Sequence, residues 1–434
     1  MKPILYISHS KRGPFYYNDA SARYRCVFPA EELIANGQQA HAIHFSQIKN
    51  IKLTDYKKVI FHRPQYSFAL HKIIKQLKRN NIVHLIDFDD LLFCPELSDT
   101  SAAVQSGKMS AALAKKHAKR YLKALQLFDH CQVSTDALAI ELAKKHTHKI
   151  TISYNKIPER WIKQAELILA EQRLEKKIIR YLPGTSHHKH DFAHIEKFLA
   201  ELLYANPSYQ LNIIGDLEFD LNAFPKEQIS QTPFQPFEQL PSLINDSWII
   251  LAPLDDNIFN RCKSGLKFWE SGVFGSPVIS SPLKDMHRFE NKGLCISDNI
   301  EDWKAFIHNM ENLVTYKTAS EQVIEKSQQA FFAQPHLSNC RYTYLKLTSE
   351  FGPRWPGDIL NPTAPGNKKI LETHKAIIQS NQNEPMLLSR VNKSIENDVP
   401  ARKHKVVQKF KKLISSPKSF FKDSKYFNFI LPKH

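Results

Sequence analysis

Residues 260–278, NRCKSGLKFWESGVFGSPV, gather the side chains of this chain best suited to holding a phosphorylated ligand. The stretch opens on a polar, basic turn containing Asn260, Lys263 and Ser264, and Lys263, Lys267 and Glu270 then recur at spacings of four and three. On a helix these three share one face. A helix N-terminus offers unpaired N–H groups to an anion, and lysines beside it reinforce the preference for phosphate. The plainer reading of the same spacing is a solvated amphipathic helix whose Glu270 forms an ion pair with Lys267. Upstream, residues 248–253 read as a short apolar strand ending in a polar loop, and residues 276–281 as a second strand after Gly272 or Gly275. Strand, loop, helix and strand form one βαβ unit, and open α/β sheets bind ligands at the C-terminal ends of such strands.

A second anion loop follows the predicted strand 177–182, where Gly184, Thr185, Ser186 and Lys189 precede a predicted helix over 191–204. His187, His188 and His190 raise the idea of zinc. Adjacent histidines point apart, and no cysteine or acidic partner has ligand spacing, so no metal is expected. The strand 209–215 ends on Gly215. Nearer the N-terminus, strand 3–8 runs into a loop containing His9, and Arg23 and Arg25 lie near the start of a helix predicted over 18–37. Strand 58–61 runs into His62 and Arg63, and strand 82–86 runs into Asp87-Phe88-Asp89-Asp90. Carboxylates at a strand end can bind a metal, act as a base, or cap the following helix, and capping is expected for at least one of them.

The elements that must position these residues alternate strand and helix: helices over 67–80, 109–128 and 136–146, strands over 130–134 and 150–152, then helices around 301–314 and 319–330. Alternation of this kind predicts parallel sheets covered by helices. The expected organisation is a domain over 1–158, a linker over 159–176, a second domain over 177–335, a crossover helix over 336–351, an extended linker over 352–400 and a tail over 401–434.

With 434 residues and 42% hydrophobic content the chain has material for two cores. Its formal charge of +17 points to an anionic partner. The six cysteines are scattered and form no C-x-x-C pair, which excludes a zinc ribbon or disulfide framework and fits a reducing cytoplasm. The N-terminal apolar run is too brief for a signal peptide, and no run approaches the roughly 18 residues of a membrane span. The tail carries ten Lys or Arg against one acid, Asp423, with Val406, Val407, Phe410, Leu413 and Ile414 at helical spacing. Basic residues around an apolar, aromatic face predict a helix lying on an anionic membrane surface. No nucleic-acid recognition motif is present, so nucleic acid is not an expected partner.

Glu270, Gly275 and Pro277-Val278 resemble the E-x4-G-x-P-V segment of retaining GT-B glycosyltransferases, in particular those of family 4 (glycosyl transferases group 1). The loop over 183–192 resembles their donor-diphosphate loop, residues 232–241 resemble the part packing around the nucleobase, and the D-F-D-D-L run resembles one in their N-terminal domains. The tail looks like those of bacterial capsule and surface-polysaccharide transferases. The resemblance implies a GT-B fold of two Rossmann-like domains facing across a cleft. It implies a metal-independent, hexosyltransferase-like enzyme that is peripheral at the cytoplasmic face of the cell membrane. Its donor would be a nucleotide-sugar, used as substrate without any cofactor, and its acceptor a glycan or lipid-linked glycan of capsule or lipopolysaccharide. Lys263 and Glu270 would then be catalytic, with Glu270 on the donor ribose. Gly184, Thr185, Ser186, Lys189, Gly215, Phe237, Asn260, Ser264 and Lys267 would line the donor site, and His9, Arg23, Arg25, Arg63 and Asp87 the acceptor side. Where the family carries an earlier glutamate, eight residues before Glu270, this chain has Cys262. A CDP-polyol phosphate transferase of the teichoic-acid kind, or a non-catalytic GT-B scaffold, would share the architecture.

Overall fold

The computed structural model describes residues 2–145, 149–158, 160–161, 168–184, 189–290 and 293–329. The expected crossover helix, extended linker and basic tail lie outside the described residues, as do Thr185 and Ser186. Strands β1 (Ile4–Ser8), β2 (Ala40–His44), β3 (Lys58–His62), β4 (Val83–Phe88), β5 (His130–Val133) and β6 (Lys149–Ile152) pair in parallel in the order β2-β1-β3-β4-β5-β6. A second parallel sheet follows, built of β7 (Ile178–Tyr181), β8 (Gln210–Ile214), β9 (Ile229–Thr232), β10 (Ile249–Ala252), β11 (Val278–Ser280) and β12 (Leu294–Ile296). Its order is β12-β11-β10-β7-β8-β9. Central strands such as β1 and β11 are buried on both faces, because helices cover both sides of a parallel sheet.

The caps work as their residue types require. Ser67 accepts from Leu70 N to start helix Phe68–Arg79, Ser110 from Leu113 N to start Ala111–Leu125, and Thr135 from Leu138 N to start Asp136–Ala143. Two sequence expectations change. The helix expected over 18–37 is a succession of a 3-10 turn (Gly13–Asn18), a short helix (Ala20–Ala22), a π-helical turn (Arg23–Val27) and helix Phe28–Ala35. Proline at 29 has no N–H to return to the carbonyl of Arg25 and its ring crowds that carbonyl, so the chain widens and Phe28 N donates to Arg23 O instead. Nor does a helix begin after Asp87–Asp90 to be capped; the next helical turn is Ser98–Thr100.

One apolar cluster runs from Tyr6, Ala42 and Leu85 in the first sheet, through Trp161 and Phe237, to Phe268, Phe274 and Val278 in the second. The two sheets therefore meet across a packed seam. Trp161 is fully buried there and lies 4.3 Å from the Phe237 ring, while the Arg23 guanidinium sits 3.9 Å from the same ring. Helix Ala170–Lys176 is fastened by the buried Arg173, which donates to Asn245 O at 2.9 Å and to Phe274 O. Beside it Gly275 turns the chain with φ +80°, and a Cβ there would run into Ser320 Oγ, Ile324 Cδ1 and Arg173 Nη1. Gly184 has a similar φ of +76°, but no atom of the described residues lies within 4 Å of where its Cβ would be. Gly275→Ala is therefore expected to lower stability by roughly 2–4 kcal/mol, against about 1–2 kcal/mol for Gly184→Ala, where only the left-handed backbone is strained. Denaturant midpoints of the two variants check the difference.

Candidate functional site

The C-terminal ends of β1, β3 and β4 carry a dense ionic network. Arg63 has a left-handed φ of +48°, held by its N–H to Asp87 O at 2.9 Å, and its guanidinium pairs with Asp89 and Asp90. Asp89 also accepts from Ser21 Oγ at 2.5 Å and lies 3.1 Å from His62 Nε2. Burial pushes the Asp89 carboxyl up, but Arg63 and His62 outweigh it and hold the group well below the usual carboxylate range. For Asp90 burial wins over Arg63, with Asp89 adding to it, and the carboxyl is raised. Arg25 and Asp87 are spent on each other: Nε–Oδ2 is 2.9 Å and Nη2–Oδ1 2.5 Å, and Arg25 Nη1 donates to Ser153 O and Asn155 Oδ1. That pair is buried inside the first domain. His9 stacks on Phe45 at 4.2 Å, and its Nε2 is buried with no hydrogen-bond partner among the described residues.

Facing this edge is the loop between β10 and helix Leu266–Gly272. A short helix, Ile258–Arg261, interrupts it, capped by Asn257. Lys263 thus lies in the connector before the helix, and the shared face expected for Lys263, Lys267 and Glu270 is not formed. Lys267 does pair with Glu270, Nζ–Oε2 2.8 Å. Lys263 is instead partly buried between the sheets. Burial lowers its pKa, opposed by Asp90 of the first domain and by Asp191 and Asp255 of the second. Asn260 Oδ1, Ser264 Oγ and Trp269 Nε1 are buried with no partner among the described residues. Unpaired buried polar atoms cost of order 1–3 kcal/mol each, so a run of them in one loop marks a place where a ligand or water belongs. Cys262 packs among the first-domain apolar residues while its carbonyl accepts from Thr135 Oγ1 at 2.8 Å, and burial pushes its thiol up to about 12.

Glu270 closes the seam. Tyr24 Oη donates to Glu270 Oε1 at 2.6 Å, and Trp161 Nε1 donates to Glu270 O at 3.3 Å. Burial, then the carboxylate, raise the Tyr24 pKa well above its ordinary value, so the phenol is a standing donor. Arg23 is 8% exposed, donates to Tyr17 O at 2.9 Å, and burial lowers its pKa to about 10. Phe237 is 6% exposed and covered by Trp161 and Arg23, so it is a seam residue with no open face for a base. In the second sheet Gly215 (φ +133°) opens onto a cavity of about 360 Å³ lined with Asp216, Leu217, Glu218, Gln231 and Pro233. Gln231 Nε2 shapes its wall by donating to Gly215 O at 2.9 Å and Leu217 O at 3.0 Å. Lys189 starts helix Lys189–Ala205 near the cavity rim, its Nζ 3.6 Å from Glu218.

The structure thus brings Lys263 to Arg63 and its aspartates, gathers Asn260 and Ser264 beside it, and leaves Arg23, Arg25, Asp87 and Phe237 committed to internal contacts. Among the described residues no group of His, Cys, Asp and Glu is arranged to hold a metal ion. Sequence reasoning missed Tyr24, and of the three strand-end carboxylates it put only Asp87 on the acceptor side, where the structure puts Asp89 and Asp90 on Arg63. The D-F-D-D run carried a signal for the aspartates; nothing in the sequence singled out Tyr24.

No protein-family profile and no curated protein sequence matches this chain. Solved structures do match its shape. A glycosyltransferase from Rickettsia africae aligns with a TM-score of 0.52 at 12% identity, over 80% of this chain and 98% of the other. Sucrose-phosphate synthase from Thermosynechococcus elongatus aligns at 0.51 and 12%, over 76% and 95%. Anabaena HepE, solved in complex with UDP-glucose, aligns at 0.50 and 11%, over 80% and 99%. The chain has the GT-B fold. Such low identities carry the architecture and leave the chemistry to be argued from the residues.

Burial lowers the His9 pKa to about 3 from 6.5, with His44 and His62 adding to the shift. Protonation therefore favours the unfolded chain: the contribution is complete above pH 6.5 and is lost as pH falls towards 3. Between pH 6.5 and 5 the wild type should lose about 1–2 kcal/mol more stability than His9→Gln, read from urea midpoints across that range.

Proposed function

We propose that the chain is a glycosyltransferase that moves a sugar from a nucleotide-sugar, held by the second sheet, to a glycan acceptor at the strand ends of the first. One observation carries the reading. The loop after β10 leaves Asn260 Oδ1 and Ser264 Oγ buried with no partner among the described residues while setting Lys263 between that sheet and Asp90 of the opposite domain. Groups from both sheets converge where α/β folds bind ligands.

On this reading the nucleobase enters the cavity beside Gly215, with Pro233 and the Gln231-supported wall against it. The diphosphate lies between Lys189, at a helix N-terminus, and Lys263, with Ser264 Oγ donating to it, while Asn260 Oδ1 accepts from a donor-sugar hydroxyl. Departure of the diphosphate concentrates negative charge, and fixed cations in a closed, water-poor cleft stabilise it most effectively. Lys263, whose charged form is already penalised by burial, gains most from an incoming phosphate. Glu270 holds the ribose hydroxyls and Lys267 pairs with its other carboxylate oxygen at 2.8 Å. Arg63, Asp89 and Asp90 present the acceptor, a bacterial surface glycan such as capsule or lipopolysaccharide. The transfer retains anomeric configuration and needs no metal. Residues 401–434 bring the protein to the cytoplasmic face of the membrane. Among the described residues, no helix is long and apolar enough to cross one.

Cys262 favours a second reading. It stands where the family has a carboxylate, and here it is buried and engaged with the first domain. A chain that cannot grip the donor sugar there could be a non-catalytic scaffold. Calorimetric titration with UDP, GDP, CMP, CDP, CDP-glycerol and ADP separates the readings. The glycosyltransferase reading predicts micromolar binding of one nucleoside diphosphate, insensitive to EDTA and weakened at least tenfold by Lys263→Ala or Glu270→Gln. Preference for CDP-glycerol would move the chain to polyol-phosphate transfer, and silence with all six nucleotides would favour the scaffold.

A further inference from the structure

The outer face of the first domain carries a feature the proposed reaction does not use. Helix Ala111–Leu125 is tied there, through Tyr66 and Gln65, to the segment that leads into helix Phe68–Arg79. Tyr66 N donates to Arg120 O at 3.0 Å, Gln65 Nε2 lies 3.1 Å from His117 Nδ1, and Lys123 Nζ sits 4.0 Å from the centre of the Tyr66 ring. Their inner rows, Leu70, Ile74 and Leu77 in one and Ala114, Ala118 and Leu125 in the other, are buried. Their outer rows are of one sign. The two helices contain nine Lys or Arg and no Asp or Glu. Among the described residues only Lys78 of the nine has an ion-pair partner, Asp129 at 2.9 Å. The field reaches inward: burial, then Lys11, Arg120 and Lys116, lower the His117 pKa. At the edge of this face Phe68 is 80% exposed, its ring 6.2 Å from Tyr66.

A helix face that only meets water usually interleaves both signs, because like charges on one face repel. Eight cations without ion pairs among the described residues, with a projecting phenylalanine at their edge, fit a partner that is anionic, broad and apolar just below its surface. We propose that this face docks on an anionic phospholipid bilayer, with Phe68 entering the interface and the lysines against the headgroups. Interfacial helices join these two residue types for that purpose: the cations draw the face in and the aromatic group anchors it. The surface is the exposed side of two helices whose inner rows are buried, which suits a plane better than the groove a single nucleic-acid strand would need. Phe68 follows Arg63 by five residues, so docking would bring the ionic edge of the first sheet close to the lipid. The inference is independent of the donor site and of residues 401–434.

Flotation of the full-length chain with phosphatidylglycerol-containing vesicles, against pure phosphatidylcholine vesicles, tests it. The quadruple variant Lys72→Glu, Lys75→Glu, Lys116→Glu, Lys119→Glu should reduce partitioning on the order of 100-fold, and Phe68→Ser roughly tenfold. Thermal midpoint and nucleotide binding should be unchanged in both. All variants keep residues 401–434, so partitioning equal to wild type would overturn the proposal. Equal binding to neutral vesicles would do the same, as would loss of single-stranded RNA binding in the variants with vesicle binding intact.

Discussion

A hydrogen bond between Tyr24 and Glu270, 2.6 Å long and buried, joins the two halves of this molecule, and much of the rest is arranged around it. Its two ends are set by unrelated causes. Proline at 29 opens the preceding turn to a π turn, which buries Arg23, Tyr24 and Arg25 together. Gly275, in a left-handed conformation with no room for a side chain, ends the segment that carries Glu270. Bonds from a neutral donor to a buried carboxylate contribute about 1.5–3 kcal/mol, and stranding the charge would cost more. Lys267 on the other carboxylate oxygen and Trp161 on the Glu270 carbonyl leave that carboxylate little freedom.

The same carboxylate has two claims on it. As a seam residue it fixes the first domain against the second, and in the proposed reaction it receives the ribose of the donor. Each carboxylate oxygen can accept two hydrogen bonds, so a ribose can share Glu270 with Tyr24 or replace it. Donor binding and the fit of the domains then become coupled quantities. The seam is otherwise apolar and cationic: Trp161 and Phe237 packed together, Arg23 over Phe237, and Arg160 paired with Glu238 at 2.6 Å. Away from it, Lys263 and the Arg63 network face each other with polar atoms left unpaired, as befits a place that receives a ligand.

The strands most easily read were the central apolar ones, β1 and β10, because burial on both faces makes them continuous hydrophobic runs. Thr135 announced its helix because a hydroxyl before an apolar periodic run is an N-cap, and Ser67 and Ser110 turn out to cap theirs in the same way. The edge strands β9 and β12 were not legible: Ile229–Thr232 is half exposed and Leu294–Ile296 is three residues long, too little for a pattern. In the site, Gly275 and Lys263 were legible from residue type. The position of Lys263 off the helix was not, since the short helix Ile258–Arg261 depends on a cap by Asn257 that competes with a continuous 260–272 helix. Phe237 could be read as a stacking face for a base or as a core ring, and the sequence does not reveal which aromatic rings another domain covers; the structure makes it core. Tyr24 was invisible for the same reason: its partner lies 246 residues away.

The most direct test of this account is a double-mutant cycle between Tyr24→Phe and Glu270→Gln, read by urea unfolding. The account predicts a coupling of about 1.5–3 kcal/mol between the two sites. Additivity within about 0.5 kcal/mol would contradict it, because the two halves of the chain would then be held together by something other than this bond.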